Sequence, residues 1–500
     1  MQTKSWKATI SACQKCKMSQ RTFSTHNPID NNKNKKEHTV NSLTQVDLAL
    51  KKASKAYNLL GQKSNHEIQA FLRLVKRNVE ELEEQLCSIY IAETGLEKSR
   101  FETELKRTLY QLDHFANHIT DRTYLESLER KDRSNGKVFI KKKFGIGPVL
   151  VVGAGNFPLA YSTIGGDSVA ALASKNPVIL KAHPYHVGTS TLVASAVLKA
   201  QKTLDFPEGT FSHIIDDGYE LATYIAGHSS IKAIGFTGSQ KGGEAFIKLA
   251  QNRKEPIPVF AEMGSVNPVV ILDSPLKSNS ETIAENIANS VCTDSGQFCT
   301  KPGMLFLPRK EERSAFLDLL KDKIIDYKDQ PMLHPIVQSN FEMKTSKIAE
   351  IGGKTCFYQQ KENSRKDTHF PKKSIFIGSI EDLNKHTFLQ EEVFGPHLSV
   401  FYYDDHISLI DVLNNLKGQL TFSVFGSREK DGTILEELLN IGSLKSGRVI
   451  HNDLPTGVEV CAAMQHGGPY PASSDSRFTA VGTDSITRFQ RSVTFQNYDI

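Results

Sequence analysis

Cysteine is scarce in this chain: seven in 500 residues, an odd number thinly scattered. That excludes the stapled framework of a small secreted domain and fits a reducing compartment, with the cytoplasm expected and the mitochondrial matrix as the alternative. An excess of one charge is also missing. Lys plus Arg number 61 against 56 for Asp plus Glu, a formal +5. A nucleic-acid binder concentrates its basic residues on one face, so the short cluster Lys141, Lys142 and Lys143 reads instead as a solvated edge. The longest uncharged stretch, residues 144–166, holds six glycines, Pro148, Pro158 and Asn156, a composition that argues against a membrane-spanning helix. The 16 histidines include no H-E-x-x-H, and the C-x-x-C of Cys13 and Cys16 has no second pair or histidine cluster, so no metal is expected. Internal repeats and low-complexity linkers are lacking too, which points to interleaved elements rather than beads on a string.

What is present is ample length. At roughly 100 to 200 residues per domain, 500 residues make two to four units, each able to bury a core unaided. The first 25 residues are basic and free of Asp and Glu, and read either as a mitochondrial presequence or as an N-terminal strand pair carrying Trp6, Ile10 and Phe23. Val46, Leu50, Ala53, Tyr57 and Leu60 recur at helical spacing. Ser64 and Glu67 form a capping box that opens a second helix through Ile68, Leu72, Val75, Val79, Leu82, Leu86 and Ile89, stopped by Gly95. A third runs through Leu105, Leu109, Leu112 and Ile119. Residues 122–144 alternate and carry Asn135-Gly136, a tight-hairpin pair, so they read as a protruding ribbon. From Pro148 short apolar strands at 149–152, 176–181, 211–215, 231–236 and 259–262 alternate with helical stretches such as 191–200 and 243–251. That is the pattern of a parallel α/β sheet, which binds ligands at the carboxyl ends of its strands.

The motifs are individually weak. Gly153-Ala154-Gly155 starts like a dinucleotide fingerprint, but Pro158 replaces the third glycine and the second strand ends in Lys181-Ala182-His183-Pro184 without the usual acid. Gly238 and Ser239 after the fourth strand, with Gly242-Gly243 opening the next helix, read either as plain turns or as a site where backbone amides approach a pyrophosphate. Further along come Glu262-Met263-Gly264, then Gly296-Gln297-Phe298-Cys299, then Glu391-Glu392-Val393-Phe394-Gly395. Taken singly, Cys299 reads as an inert loop cysteine, Glu262 as half of a salt bridge and Glu392 as a turn cap.

Together with Asn156, and in this order, these motifs resemble the aldehyde dehydrogenase superfamily from about residue 23 onward. The stretches 156–160, 181–184, 256–262 and 466–471 look most like its 2-oxoglutarate semialdehyde (2,5-dioxovalerate) dehydrogenase branch, whose neighbours include NADP-linked fatty aldehyde enzymes. The resemblance implies Cys299 as nucleophile, since a thiolate adds readily to an aldehyde carbon. It implies Asn156 and the Cys299 backbone N–H as the oxyanion hole, and Glu262, raised toward neutrality by desolvation, as the base that activates water against a thioester. The cofactor, NADP or NAD, would meet Glu392 and Phe394 at the nicotinamide end, Lys181 at the adenosine ribose, and Gly238 and Ser239 at the pyrophosphate. Pro184 stands where strongly NAD-selective relatives carry a glutamate, so NADP is expected to be accepted. Cys292 is assigned to the core of the helix before the nucleophile.

The fold expected is therefore α/β and aldehyde dehydrogenase-like, with a Rossmann-type cofactor domain (1–120 and 145–262), an α/β catalytic domain (263–480) and a β oligomerisation element (121–144 and 481–500). A homodimer or homotetramer follows from the exposed ribbon and terminal strand. The partner is a small-molecule aldehyde, with no nucleic acid and no membrane. Arg107 is read either as the cation for a substrate carboxylate or as an ordinary surface arginine. Glu459 and Cys461 lie in the segment 456–464, which the resemblance sets near the substrate mouth. A long-chain fatty aldehyde enzyme, a thiol hydrolase and a non-catalytic relative are the competing readings.

Overall fold

A computed structural model describes residues 21–309, 313–352, 354–358 and 370–498. Trp6, Ile10 and the Cys13/Cys16 pair lie outside the described residues, whereas Phe23 lies in β1 (Thr22–His26), which pairs antiparallel with β2 (Lys33–Thr39). The first helix, Leu43–Leu60, starts on a capping box of Ser42 and Gln45 and buries Val46, Leu50, Ala53 and Leu60. The Ser64–Glu67 box opens the next helix as expected, but that helix stops at Glu80, and a separate one, Glu83–Thr94, ends on left-handed Gly95. The expected single helix fails at a run of four acids. Glu80, Glu81, Glu83 and Glu84 would repel at three- and four-residue spacing on a continuous helix. After the break, Glu83 and Glu84 sit in a first turn, where the positive end of the dipole stabilises them. The third expected helix is Lys98–His118.

The ribbon also starts later than expected. Residues 122–128 form a short helix capped by Asp121, whose carboxylate accepts from two backbone N–H groups. Then β3 (Glu129–Ser134) and β4 (Lys137–Gly145) form the hairpin, with Asn135 and Gly136 both at positive φ.

The next five strands are β5 (Val149–Val152), β6 (Val178–Lys181), β7 (Phe211–Ile214), β8 (Ala233–Thr237) and β9 (Val259–Glu262). They pair in parallel in the order β7-β6-β5-β8-β9. Val149 and Val151 face the helices 65–80, 98–118, 166–173 and 187–203, while Leu150 and Val152 face helices 43–60, 220–227 and 240–251. A sheet covered on both faces needs apolar residues at every position, which is why these strands do not alternate. The chain winds outward from β5 in both directions. That puts a crevice at the carboxyl ends of β5 and β8.

A second sheet follows: β10 (Pro268–Ile271), β11 (Met304–Pro308), β12 (Thr355–Tyr358), β13 (Lys373–Ser379), β14 (His397–Tyr403), β15 (Gln419–Phe425) and β16 (Ser446–His451), in the order β12-β13-β14-β11-β10-β15-β16. All its pairings are parallel except β12 with β13. The last strand, β17 (Gln490–Gln496), joins β4 to complete a three-stranded ribbon. Among the described residues no helix is long and apolar enough to cross a membrane.

The helix Val187–Thr203 carries no cap of its own; a carboxylate from another helix supplies one. Glu93 accepts from Gly188 N and Thr189 N at 2.7 and 2.8 Å and from the Thr189 hydroxyl at 2.8 Å. A Cβ on Gly188 would lie 2.7 Å from that carboxylate, so glycine is required. Replacing Glu93 by Gln removes the charge and turns a donor toward the helix N-terminus. The expected cost is about 1–3 kcal/mol, read as a lower midpoint of thermal unfolding, with Gly188→Ala moving it in the same direction.

Candidate active site

Three segments meet at this site: the loop beyond the carboxyl end of β5, the carboxyl end of β9, and the loop that precedes β11 at the amino end of β10. Glu262 is the last residue of β9, held there by a bridge to Ser473 and by Gly238 N–H donating to its carbonyl. Cys299 follows a turn in which Asp294, Ser295 and Gly296 all have positive φ. Left-handed backbone costs a non-glycine residue roughly 1–2 kcal/mol, so this turn must be held from outside. Arg100 holds it: its Nε donates to Asp294 at 2.7 Å and its Nη1 to Glu104 at 3.0 Å, all three side chains nearly buried. The other Glu104 oxygen accepts from Leu159 N and Ala160 N at 2.8 and 2.9 Å, so the same ion cluster fixes the loop that carries Asn156. Phe157 and Phe298, one from each loop, lie 4.5 and 5.6 Å from the Arg100 guanidinium.

Asn156 reaches the Cys299 loop directly, its Nδ2 donating to the Gln297 carbonyl at 2.8 Å. Cys299 is partly exposed, and its Sγ lies 3.7 Å from His466 Nε2, which in turn lies 3.2 Å from a Glu262 oxygen. Burial pushes the thiol well above its ordinary range, and the nearby Glu262 and Glu392 carboxylates push it further. The expectation that Glu262 rises toward neutrality is corrected here. Burial does raise it, but the attraction of His466 and hydrogen bonds from His466 and Cys299 outweigh burial and leave it below the ordinary carboxylate value. Cys292 closes helix Asp273–Cys292, is buried, and is pushed up to about 12 by burial.

The remaining candidates surround the same crevice. Glu392 lies against Gly264, where a Cβ would come within 2.4 Å of its carboxylate; burial raises it to about 7, opposed by Lys301 and Lys344. Phe394 is half-buried two residues on. Gly238 follows β8, and Ser239 caps helix Gln240–Gln251 by accepting from Gly242 N at 3.2 Å. Lys181 ends β6, is buried, and is pushed down to about 8 by burial against the pull of Asp216 and Asp217. Those two acids follow β7, the strand beside β6, and both are paired with Arg21.

The Aldehyde dehydrogenase family pattern matches residues 16–489. The chain belongs to the aldehyde dehydrogenase family. It is 37% identical over 461 residues to an alpha-ketoglutaric semialdehyde dehydrogenase of Acinetobacter baylyi, covering 91% of this chain and 87% of that protein. To alpha-ketoglutaric semialdehyde dehydrogenase 2 of Azospirillum brasilense it is 35% identical, over 86% of this chain and 82% of that one. The fold matches the aldehyde dehydrogenase KauB of Pseudomonas aeruginosa with a TM-score of 0.81 at 20% identity, covering 95% of this chain and 93% of the other. It matches 1-pyrroline-5-carboxylate dehydrogenase from Thermus with bound NAD at 0.78 and 17%, covering 96% and 90%. As a member of this family the chain is an NAD(P)-dependent aldehyde dehydrogenase, an oxidoreductase.

Two residues of this aldehyde dehydrogenase escape the sequence pattern. His466 lies in a loop, where a histidine has no periodicity to mark it. Asn267, fully buried at positive φ, donates through Nδ2 to the carbonyls of Cys299 and Lys301 at 2.8 and 2.9 Å, and so fixes the Cys299 backbone. The electrostatics make a direct prediction. Alkylation of Cys299 by iodoacetamide in the cofactor-free enzyme is expected to be slow at pH 7 and still accelerating above pH 9, because burial and two carboxylates disfavour the thiolate. Glu262→Gln removes one of those charges and should speed labelling at pH 8; an unchanged rate would show that Glu262 does not act on the thiol.

Proposed function

We propose that the enzyme oxidises 2-oxoglutarate semialdehyde to 2-oxoglutarate, accepting NADP as well as NAD, through a thiohemiacetal and a thioester on Cys299. The observation that carries the substrate reading is a pair of guanidinium groups beside the nucleophile. Arg107 donates to Tyr161 Oη at 2.6 Å and to the Val458 carbonyl, and its charge favours the Cys299 thiolate. Arg448 donates to the carbonyls of Pro455 and Gly457, and its charge is felt by the same sulfur. The Nε of each is buried with no hydrogen-bond partner, so each retains a donor for a carboxylate at the far end of an aldehyde. The names of the two relatives at 37% and 35% identity support the same substrate.

The cofactor residues fit a dinucleotide: a buried ammonium at Lys181, small residues at a helix N-terminus at Gly238 and Ser239, and a carboxylate at Glu392 that only a glycine at 264 admits. NAD(P), when bound, supplies the acceptor for hydride. The chain does the rest. Glu262, hydrogen-bonded to the thiol and to His466, takes the Cys299 proton as sulfur bonds to the carbonyl carbon. The second N–H of Asn156 and the backbone N–H of Cys299 hold the oxygen that receives the carbonyl electron pair, a stabilisation of about 3–4 kcal/mol in comparable sites. That pair reforms the C=O as hydride leaves carbon, giving the thioester. Glu262 gives the thiol proton to solvent and then takes one from water as the water oxygen bonds to the acyl carbon; the C–S bond breaks to release the acid and the thiolate, which Glu262 reprotonates. His466 keeps Glu262 ionised, and therefore able to accept that proton, in a pocket where burial alone would neutralise it.

On this reading the five-stranded sheet with its helices is the cofactor-binding unit, the seven-stranded sheet the catalytic one, and the ribbon the element through which subunits pair as a homodimer or homotetramer.

A matrix of aldehydes against both cofactors tests the proposal. Dicarboxylic semialdehydes should exceed hexanal and longer aldehydes in kcat/KM by tenfold or more; the reverse order overturns it. Arg107→Leu should raise KM for the semialdehyde at least tenfold while changing that for an uncharged aldehyde little. The cofactor reading has a pH signature. With Lys181 lowered to about 8, the ammonium is present at pH 7 and lost as the pH climbs through 8. The ratio of KM for NADP to KM for NAD should therefore rise between pH 7 and 9, and Lys181→Met should flatten that rise.

A further inference from the structure

We propose that Glu262, Cys299 and His466 form a reversible inhibitory site for a divalent cation of borderline softness, with Zn²⁺ the best fit. The three side chains offer one carboxylate oxygen, one sulfur and one imidazole nitrogen, all within 4.8 Å of one another. Zinc takes this donor set, three protein ligands with a fourth position open, at Zn–S ~2.3 Å and Zn–N or Zn–O ~2.0–2.1 Å. With tetrahedral angles those bond lengths separate sulfur from nitrogen by about 3.6 Å and nitrogen from oxygen by about 3.3 Å. The corresponding distances in the protein are 3.7 and 3.2 Å. Two of the three donor separations thus match a tetrahedral site before any ion enters, and the third lies within 4.8 Å.

The donors are also held from behind, so little ordering is needed on binding. Asn267 fixes the Cys299 carbonyl. The Thr479 hydroxyl accepts from His466 N at 3.0 Å, and the His466 carbonyl accepts from Ala480 N at 2.7 Å. Glu262 is anchored in β9 and bridged to Ser473. Glu262 and His466 are buried while Cys299 is partly exposed, so an ion reaches them from the side of the sulfur, and its fourth position faces the way it entered. On binding, the thiol proton is released to solvent, His466 gives up its Nε2 proton and coordinates as the neutral Nδ1–H imidazole, and the 2+ charge is balanced by one thiolate and one carboxylate. The ion occupies the sulfur lone pair that would attack an aldehyde. Metal and substrate therefore exclude one another, and bound metal shields the sulfur from oxidation. The donors lie at positions 262, 299 and 466, which is why no local sequence motif announces them.

The binding rests on geometry alone; its inhibitory consequence rests on Cys299 being the nucleophile proposed above. The test uses the metal-stripped full-length enzyme. Zn²⁺ is titrated in competition with a chromogenic zinc chelator, Co²⁺ is added separately as a spectroscopic probe, and aldehyde oxidation is followed in parallel. One equivalent of Zn²⁺ should bind, inhibition should be competitive with aldehyde and reversed by a chelator, and bound Co²⁺ should show a thiolate-to-metal charge-transfer band. Cys299→Ser and His466→Ala should each weaken Zn²⁺ binding at least tenfold, whereas Cys461→Ser and the double variant Cys13→Ser/Cys16→Ser should bind as the parent does. Loss of binding in that double variant instead, or a Co²⁺ spectrum without the thiolate band, overturns the proposal; the latter needs no variant to fold. A thiolate band in a protein inactive on every aldehyde would uphold the metal site while removing the proposed reaction.

Discussion

Arg100 is the residue on which the geometry of this enzyme turns. Its guanidinium joins the helix 98–118 to two loops that have no regular structure of their own, one leading to Asn156 and the other to Cys299. A buried ion cluster is a poor source of net stability, because desolvation consumes most of the attraction. What it supplies is position. The left-handed turn at 294–296 is unfavourable backbone for Asp294 and Ser295, and it persists because Arg100 grips Asp294 and the Gln330 carbonyl accepts from Ser295. Strain held in place on the approach to Cys299 fixes where the sulfur sits to within the play of one side chain.

The pocket so defined is electrostatically unusual. It gathers two carboxylates and a thiol where water is scarce, an arrangement that favours neutral sulfur. The cations around it are largely engaged elsewhere: Arg107 and Arg448 donate to backbone carbonyls while each keeps its Nε free, and Lys301 donates to the His397 carbonyl at 2.8 Å. The resting protein therefore keeps its sulfur quiet. A ligand that brings positive charge alongside the thiol lowers the energy of the anion, so reactivity is coupled to occupancy of the neighbouring crevice.

Much of this was legible in the chain. The wholly apolar β5 and β6, the turn signals after them and the Ser64–Glu67 box are local patterns with local causes, and the structure reproduces them with shifts of a few residues. Asn156, Glu262, Cys299 and Glu392 could be singled out because each sits in a recognisable short motif. Contacts between distant segments could not. His466 gains its importance from standing 3.2 Å from a residue 204 positions earlier, and the acids beside Lys181 come from the strand next to it in the sheet. The single helix expected from Ser64 to Gly95 failed for the converse reason: an apolar period of 3.6 carried through 80–84, while the like charges there opposed it. The Glu262 reading failed because desolvation was counted without its imidazole partner.

Every residue of β3 is exposed, and its sequence, Glu129-Arg130-Lys131-Asp132-Arg133-Ser134, mixes both signs within six positions. Such a polyampholyte rim presents unpaired amides to solvent yet repels most strands that would add to it, since a chance segment meets at least one like charge at short range. Only an edge with the complementary order of signs docks without penalty, and its attachment would loosen as added salt screens that match. The ribbon is thus guarded against indiscriminate cross-β growth by the same side chains that would recognise a proper mate.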